Sequence, residues 1–156
     1  MIPDEYELGQ STGYLIGHIA AEMKKMFARA VEGYGVTTQQ CAPLMILYKG
    51  NGSTPTEIAQ TAGIDVGGVS RLLDRLEDKG LVKRVSGGED RRSVRIKLTK
   101  EGRRLAPKLL KVSYEMNSTV FGEVLGKKQA RELHKTLEGV LEKLTLHSLA
   151  ESSSLN

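Results

Sequence analysis

Small residues and arginines share the non-aliphatic positions between 67 and 75, in Gly67-Gly68-Val69-Ser70-Arg71-Leu72-Leu73-Asp74-Arg75, and further arginines follow at Arg84, Arg91 and Arg92. A guanidinium group is always charged and presents donors in a fixed fork, so fixed arginines suit phosphate oxygens and the O6/N7 edge of guanine. Serine adds a neutral donor, and two glycines at the start of a helix can let backbone N–H groups approach a phosphate or a base edge. Glycine costs a helix about 0.5–1 kcal/mol against alanine, so Gly67 and Gly68 leave two readings open. One is close approach to nucleic acid; the other is a frayed first turn that tolerates glycine.

Those side chains need a scaffold, and residues 54–98 supply one. Thr54-Pro55-Thr56-Glu57 predicts a helix start with a hydroxyl at the N-cap, proline at the first position and glutamate three residues on. Ala59, Gly63 and Val69 supply a small contact residue, a turn glycine and a locking aliphatic. Asp65 is a ready N-cap for a second helix whose Val69, Leu72, Leu73 and Leu76 fall at i, i+3, i+4, i+7. After Lys79-Gly80, the run Leu81–Val85 leads into Gly87-Gly88-Glu89-Asp90-Arg91-Arg92, and Val94–Leu98 then alternates apolar and basic residues, which predicts a basic two-stranded hairpin. Helix, turn, helix and hairpin make the plan of a winged helix-turn-helix.

Charge agrees with that plan. Residues 66–104 hold twelve Lys and Arg against six Asp and Glu, a net +6, whereas the 156-residue chain is only +4. Basicity concentrated on one helix and one hairpin is an electrostatic footprint for duplex DNA. Thr54, Gly67, Gly68, Ser70, Arg71, Arg75, Arg84, Asp90, Arg91 and Arg92 are the candidate DNA contacts.

The rest of the composition excludes other classes. Nothing pairs a nucleophile with a base, so an enzyme has no support. One cysteine and three scattered histidines (His18, His134, His147) build no recognisable zinc site, and no metal or cofactor is expected. No apolar run reaches bilayer length and no leader pattern opens the chain, so no membrane partner is expected and the cytoplasm is the expected location. A winged helix that binds protein is the better rival, since fold alone does not fix function, but such a surface favours an apolar patch over Glu89-Asp90-Arg91-Arg92.

Helical patterns flank the module. Leu15, Ile19, Met23, Met26 and Ala30 recur at helical spacing from Thr12 to about Glu32, ended by Gly33 and Gly35. Thr37-Thr38-Gln39-Gln40 predicts a capping box before a helix that ends at Gly50, with Pro43 irregular or kinking inside it. Thr99 predicts the start of a helix toward Phe121, kinked at Pro107, and Ala130, Leu133, Leu137, Val140, Leu141 and Leu144 mark a last one from Lys127 to about Ser148. Terminal helices with aliphatic stripes predict packing on a second copy, although pairing within a monomer would also cover them. The reading is one chain, 1–156, with a DNA-binding lobe over 37–98 and dimerisation helices over 12–34 and 99–148.

The chain resembles the MarR family of bacterial transcription regulators from about Thr12 to Leu146. The resemblance rests on Val69-Ser70-Arg71-Leu72-Leu73-Asp74-Arg75-Leu76-Glu77, Lys79-Gly80-Leu81-Val82-Lys83-Arg84, Asp90-Arg91-Arg92 and Leu98-Thr99-Lys100-Glu101-Gly102. It implies a mainly α fold with a β-hairpin wing and N- and C-terminal dimerisation helices. It also implies an obligate homodimer on a pseudo-palindromic double-stranded operator, and repression relieved by a small aromatic carboxylate or phenol. In such proteins a wing aspartate orients a wing arginine into the minor groove, which corresponds here to Asp90 and Arg92. No family motif marks the ligand crevice. Tyr14, His18 and Tyr48 are local candidates, polar-tipped groups beside apolar stripes that core or surface packing could equally explain. Some members sense oxidants through a cysteine; Cys41 near a helix start is the candidate for a lowered pKa, although cysteine is often buried and no second one could resolve a sulfenate.

Overall fold

A computed structural model of the chain describes residues 7, 9, 11–86 and 94–154, with the side chains at 148, 149 and 151–154 left aside. Among the described residues, five helices and two strands follow in the order α1 (Thr12–Val31), α2 (Thr38–Lys49), α3 (Pro55–Ala62), α4 (Val66–Asp78), β1 (Val82–Ser86), β2 (Val94–Leu98) and α5 (Lys100–Ser154), with a short 3₁₀ turn over Glu32–Tyr34. Residues 1–113 and 114–156 form two compact units.

The first unit is built by caps that the chain spells out. Ser11 accepts from Tyr14 N at the start of α1. Thr37 with Gln40, and Thr54 with Glu57, each form a complete capping box. Gly63, at φ +64°, closes α3 and lets the chain turn into α4. Helix α2 runs through Pro43, which is buried with Leu44 and Cys41, so packing holds a proline where propensity would break the helix.

Ile58 and Ala59 of α3, Val69, Leu73 and Leu76 of α4, and Leu44 of α2 meet in one core, closed by Val82, Ile96 and Leu98 of the hairpin. The strands pair antiparallel with Val82 opposite Leu98, Arg84 opposite Ile96 and Lys83 opposite Lys97. The core extends past the lobe boundaries drawn from sequence. Val31 enters from α1, and Ala106 and Leu109 enter from the first turns of α5.

One joint fixes α5 to the hairpin and to the end of α4. Thr99 N donates to the Leu81 carbonyl at 3.1 Å, Thr99 Oγ1 donates to the Gly80 carbonyl at 2.6 Å, and the same oxygen accepts from Gly102 N at 3.1 Å. Gly102 is buried there, and a Cβ on it would overlap the Leu81 carbonyl oxygen. The glycine exists because two backbones touch.

In the second unit the helical chain is interrupted at Gly126 (φ 67°, ψ 169°), a backbone conformation open mainly to glycine. The helix on either side is longer than the sequence pattern implies, passing Phe121 and running to Ser154 rather than Ser148. Ala130 and Leu133 are half-buried, whereas Val140, Leu141 and Leu144 are exposed. No helix among the described residues is long and apolar enough to cross a membrane.

Candidate nucleic-acid interface

Helix α4 separates its two faces cleanly. Val69, Leu72, Leu73 and Leu76 are buried, and Arg71, Asp74, Arg75 and Asp78 lie on the other side. Two unburied guanidinium groups, Arg71 and Arg75, therefore lie one turn apart on the solvent face of the second helix of a helix-turn-helix. This is where such modules meet the major groove. Ser70 is half-buried, and its hydroxyl donates to the Val66 carbonyl at 2.9 Å, leaving its oxygen to accept.

The geometry gives Gly67 and Gly68 a cause that neither sequence reading contained. Asp65 caps α4 by accepting from Gly68 N at 2.7 Å. Folded back over the first turn, its carboxylate would lie 2.8 Å from a Cβ on Gly68 and 3.2 Å from one on Gly67. Side chains there would push the cap aside. The first turn is capped rather than frayed, and the glycines make room for the cap while leaving the surface low.

Arg84 has partners within the lobe. Expected among the DNA contacts, its guanidinium is held by two carboxylates of α4, Asp74 at 2.6 Å and Glu77, while its backbone N–H donates to Glu77 at 2.9 Å. These bonds, led by that to Asp74, raise the Arg84 pKa, and the Arg84 N–H and guanidinium hold Glu77 below the usual carboxylate range. Arg84 pins the wing to α4. Sequence spacing could not reveal this, because strand and helix meet only in three dimensions.

Thr54 Oγ1 accepts from Glu57 N at 3.2 Å and so serves the cap of α3. The Ser53 and Thr54 N–H groups converge on the Glu57 carboxylate, which lowers its pKa. Ser53 also ties in the wing, since Ile96 N donates to its carbonyl at 2.7 Å and Arg95 Nη1 to its hydroxyl at 3.3 Å. At the far end of α4, Lys79 ties that helix to the start of α2, reaching the Gly35 carbonyl at 2.6 Å and the buried Gln40 amide oxygen at 3.0 Å. The Thr54–Glu57 cap was legible in the sequence, whereas the tethers made by Ser53 and Lys79 were not. Asp90, Arg91 and Arg92, the expected wing tip, lie outside the described residues.

Of the ligand candidates, Tyr14 and His18 are brought together on α1, with ring centroids 4.4 Å apart and planes tilted by 55°. Tyr48, at the end of α2, is exposed. Cys41 contradicts the expected lowered pKa. It is fully buried in the core, its thiol donates to the Thr37 carbonyl at 3.3 Å, and burial pushes its pKa up to about 11. Desolvation outweighs the helix start because the thiol sits inside the first turn rather than beyond its N-terminal end.

A winged helix-turn-helix with arginines on the open face of its second helix defines a DNA-binding protein of the transcription-regulator class. The MarR family model matches residues 34–93, which contain α2 through the start of the wing. The chain is 30% identical over 139 residues to the transcriptional activatory protein BadR of Rhodopseudomonas palustris, covering 87% of this chain and 78% of that one. It is 29% identical over 147 residues to the organic hydroperoxide resistance transcriptional regulator of Bacillus subtilis, covering 92% and 95%. Among solved structures, the MepR–DNA complex of S. aureus superposes with a TM-score of 0.77 at 29% identity, over 86% of this chain and 98% of that one. The chain belongs to the MarR family of transcription regulators.

Proposed function

We propose that this protein is a sequence-specific repressor that grips a pseudo-palindromic double-stranded operator as a homodimer and lets go when a small aromatic carboxylate or phenol binds. The observation that carries the DNA reading is the pair Arg71 and Arg75, unburied on the open face of α4 while Arg84 holds the wing in place. The related MepR is known in complex with DNA. The dimer reading draws on apolar side chains left in solvent, Leu15 at 55% and Ile19 at 38% on α1, Leu141 at 65% and Leu144 at 62% on α5. A second copy would cover such surface and set two α4 helices roughly 34 Å apart, one turn of DNA. The ligand reading draws on Tyr14 and His18, whose rings, in contact and tilted to one another, offer an apolar surface with polar edges beside that stripe. Its place of action would be the cytoplasm.

An oxidant-sensing alternative draws on the name of the Bacillus subtilis relative. The burial and raised pKa of Cys41, the chain's one cysteine, argue against it. Binding to promoter DNA from the gene's own neighbourhood, across a salt series and with a panel of benzoates, salicylates and phenols, tests the whole reading. A steep loss of affinity with salt and release by an aromatic acid are expected. A flat salt response would remove the DNA reading. Release by peroxide that Cys41→Ser abolishes, with no response to any aromatic compound, would replace the ligand reading. Transcription from the bound promoter in a purified system should fall, and a rise would reverse the sign of regulation.

A further inference from the structure

Three local rules of protein electrostatics are broken at one place. Lys83 of β1 and Lys97 of β2 are direct cross-strand partners, and like charges so placed repel. Lys100, Arg103 and Arg104 follow on the first turns of α5, spaced i, i+3 and i, i+4, again like against like. They stand at a helix N-terminus, where the backbone dipole disfavours cations. These five side chains line a single groove of about 490 Å³ with Leu98 and Thr99, and no carboxylate lines it. All five are exposed. Among the described residues none of the five has an ion-pair partner. Glu101 in the same first turn offsets part of this charge but does not line the groove, and local rules broken in this way mark functional sites.

The groove is separate from the base-reading face. Along β1, Val82 is buried in the core and Arg84 bonds to α4, so Lys83 between them points to the other side of the hairpin. The same alternation puts Lys97 opposite the inward Ile96 and Leu98. Phosphates read by α4 therefore leave this groove unfilled.

We propose that the groove bounded by Lys83, Lys97, Lys100, Arg103 and Arg104 is a binding site for closely spaced phosphate groups. Two sources carry that chemistry, a free polyphosphorylated small molecule and the DNA backbone flanking the operator. Both neutralise the cluster in one step, and multivalent phosphate oxygens match the donors of two arginines and three lysines.

Inorganic tripolyphosphate is the probe for the first source, titrated calorimetrically at constant ionic strength into the intact protein. Lys97→Gln/Arg103→Gln should weaken its binding by about tenfold or more, and Arg71→Gln/Arg75→Gln on α4 by less than about twofold. For the second source, affinity is compared between a duplex operator and the same duplex extended by one helical turn at each end. Thermal unfolding controls for folding. Lys97→Gln should raise the midpoint of the free protein by relieving repulsion, which a merely structural lysine would not do. Groove-dependent tripolyphosphate binding supports the free-ligand source. No such binding, with the affinity gained from the longer duplex lost in the groove variant, supports the flanking-backbone source. Binding of neither, or equal loss in the α4 and groove variants, overturns the proposal.

Discussion

Replacing Gly102 by alanine should destabilise the protein although alanine is the better helix former. In a free helix the exchange gains about 0.5–1 kcal/mol. At this position the new Cβ would overlap the Leu81 carbonyl oxygen and press to 3.1 Å of Leu98 Cδ2. Neither neighbour can yield cheaply. The Leu81 carbonyl is backbone that accepts from Thr99 N, and Leu98 belongs to the core. Relief needs the start of α5 to withdraw, which stretches Thr99 N to Leu81 O and Thr99 Oγ1 to Gly80 O. Each such bond contributes about 1 kcal/mol net. Overpacking adds about 1–3 kcal/mol. The balance is a loss of about 2–4 kcal/mol, or roughly 5–15 °C in thermal midpoint for a chain of this size. Gly17→Ala is the control, a glycine inside α1 with nothing within 4 Å of the new methyl, and it should stabilise by about 0.5–1 kcal/mol. Urea and thermal unfolding of both variants give the comparison. If Gly102→Ala matched or exceeded the stability of Gly17→Ala, the close approach of α5 to Leu81 would be refuted, and with it the joint that ties α5 to the hairpin.

Arg71→Ala should cost roughly 1–3 kcal/mol of operator binding and relax sequence preference, while Arg84→Ala should change stability by less than about 1 kcal/mol and leave sequence preference intact; equal loss of discrimination in both would mean that the base-reading face is misplaced. Asp65→Ala should cost about 1 kcal/mol of stability through the lost cap. Gly68→Ala should destabilise while the Asp65 carboxylate is present and cost less once Asp65→Ala has removed it, with only Ile64 Cγ2 at 3.1 Å still to give way, as a double-mutant cycle in urea will measure. Cys41 keeps its proton in the folded state up to about pH 11, against an ordinary value of 9.0, so its contribution is fully present below pH 9 and lost as pH rises from 9 to 11. Urea midpoints across that window should fall for the wild type more than for Cys41→Ala, and parallel curves would contradict the burial argument.

The chain determined its own elements because the signals for them are local. Thr37, Thr54 and Asp65 cap the helices that follow, with the bonds their spacing predicts, and Val69, Leu72, Leu73 and Leu76 face the core because a helix repeats every 3.6 residues. A wing between Leu81 and Leu98 was legible from the alternation of Val94 to Leu98 and the Gly87-Gly88 pair before it, as was the family from the order of these parts. Tertiary structure decided what depends on two segments meeting. It set Arg84 as a clasp on Asp74 and Glu77, and it buried Cys41 deeply enough for desolvation to overrule the helix start. It explained Gly68 by a carboxylate three residues back and Gly102 by a carbonyl twenty-one residues back. It also gathered five cations from two strands and a helix into one groove. Periodicity specifies which face of an element is apolar, but the partner across that face, and so the charge and solvent a side chain feels, exists only once the core has closed.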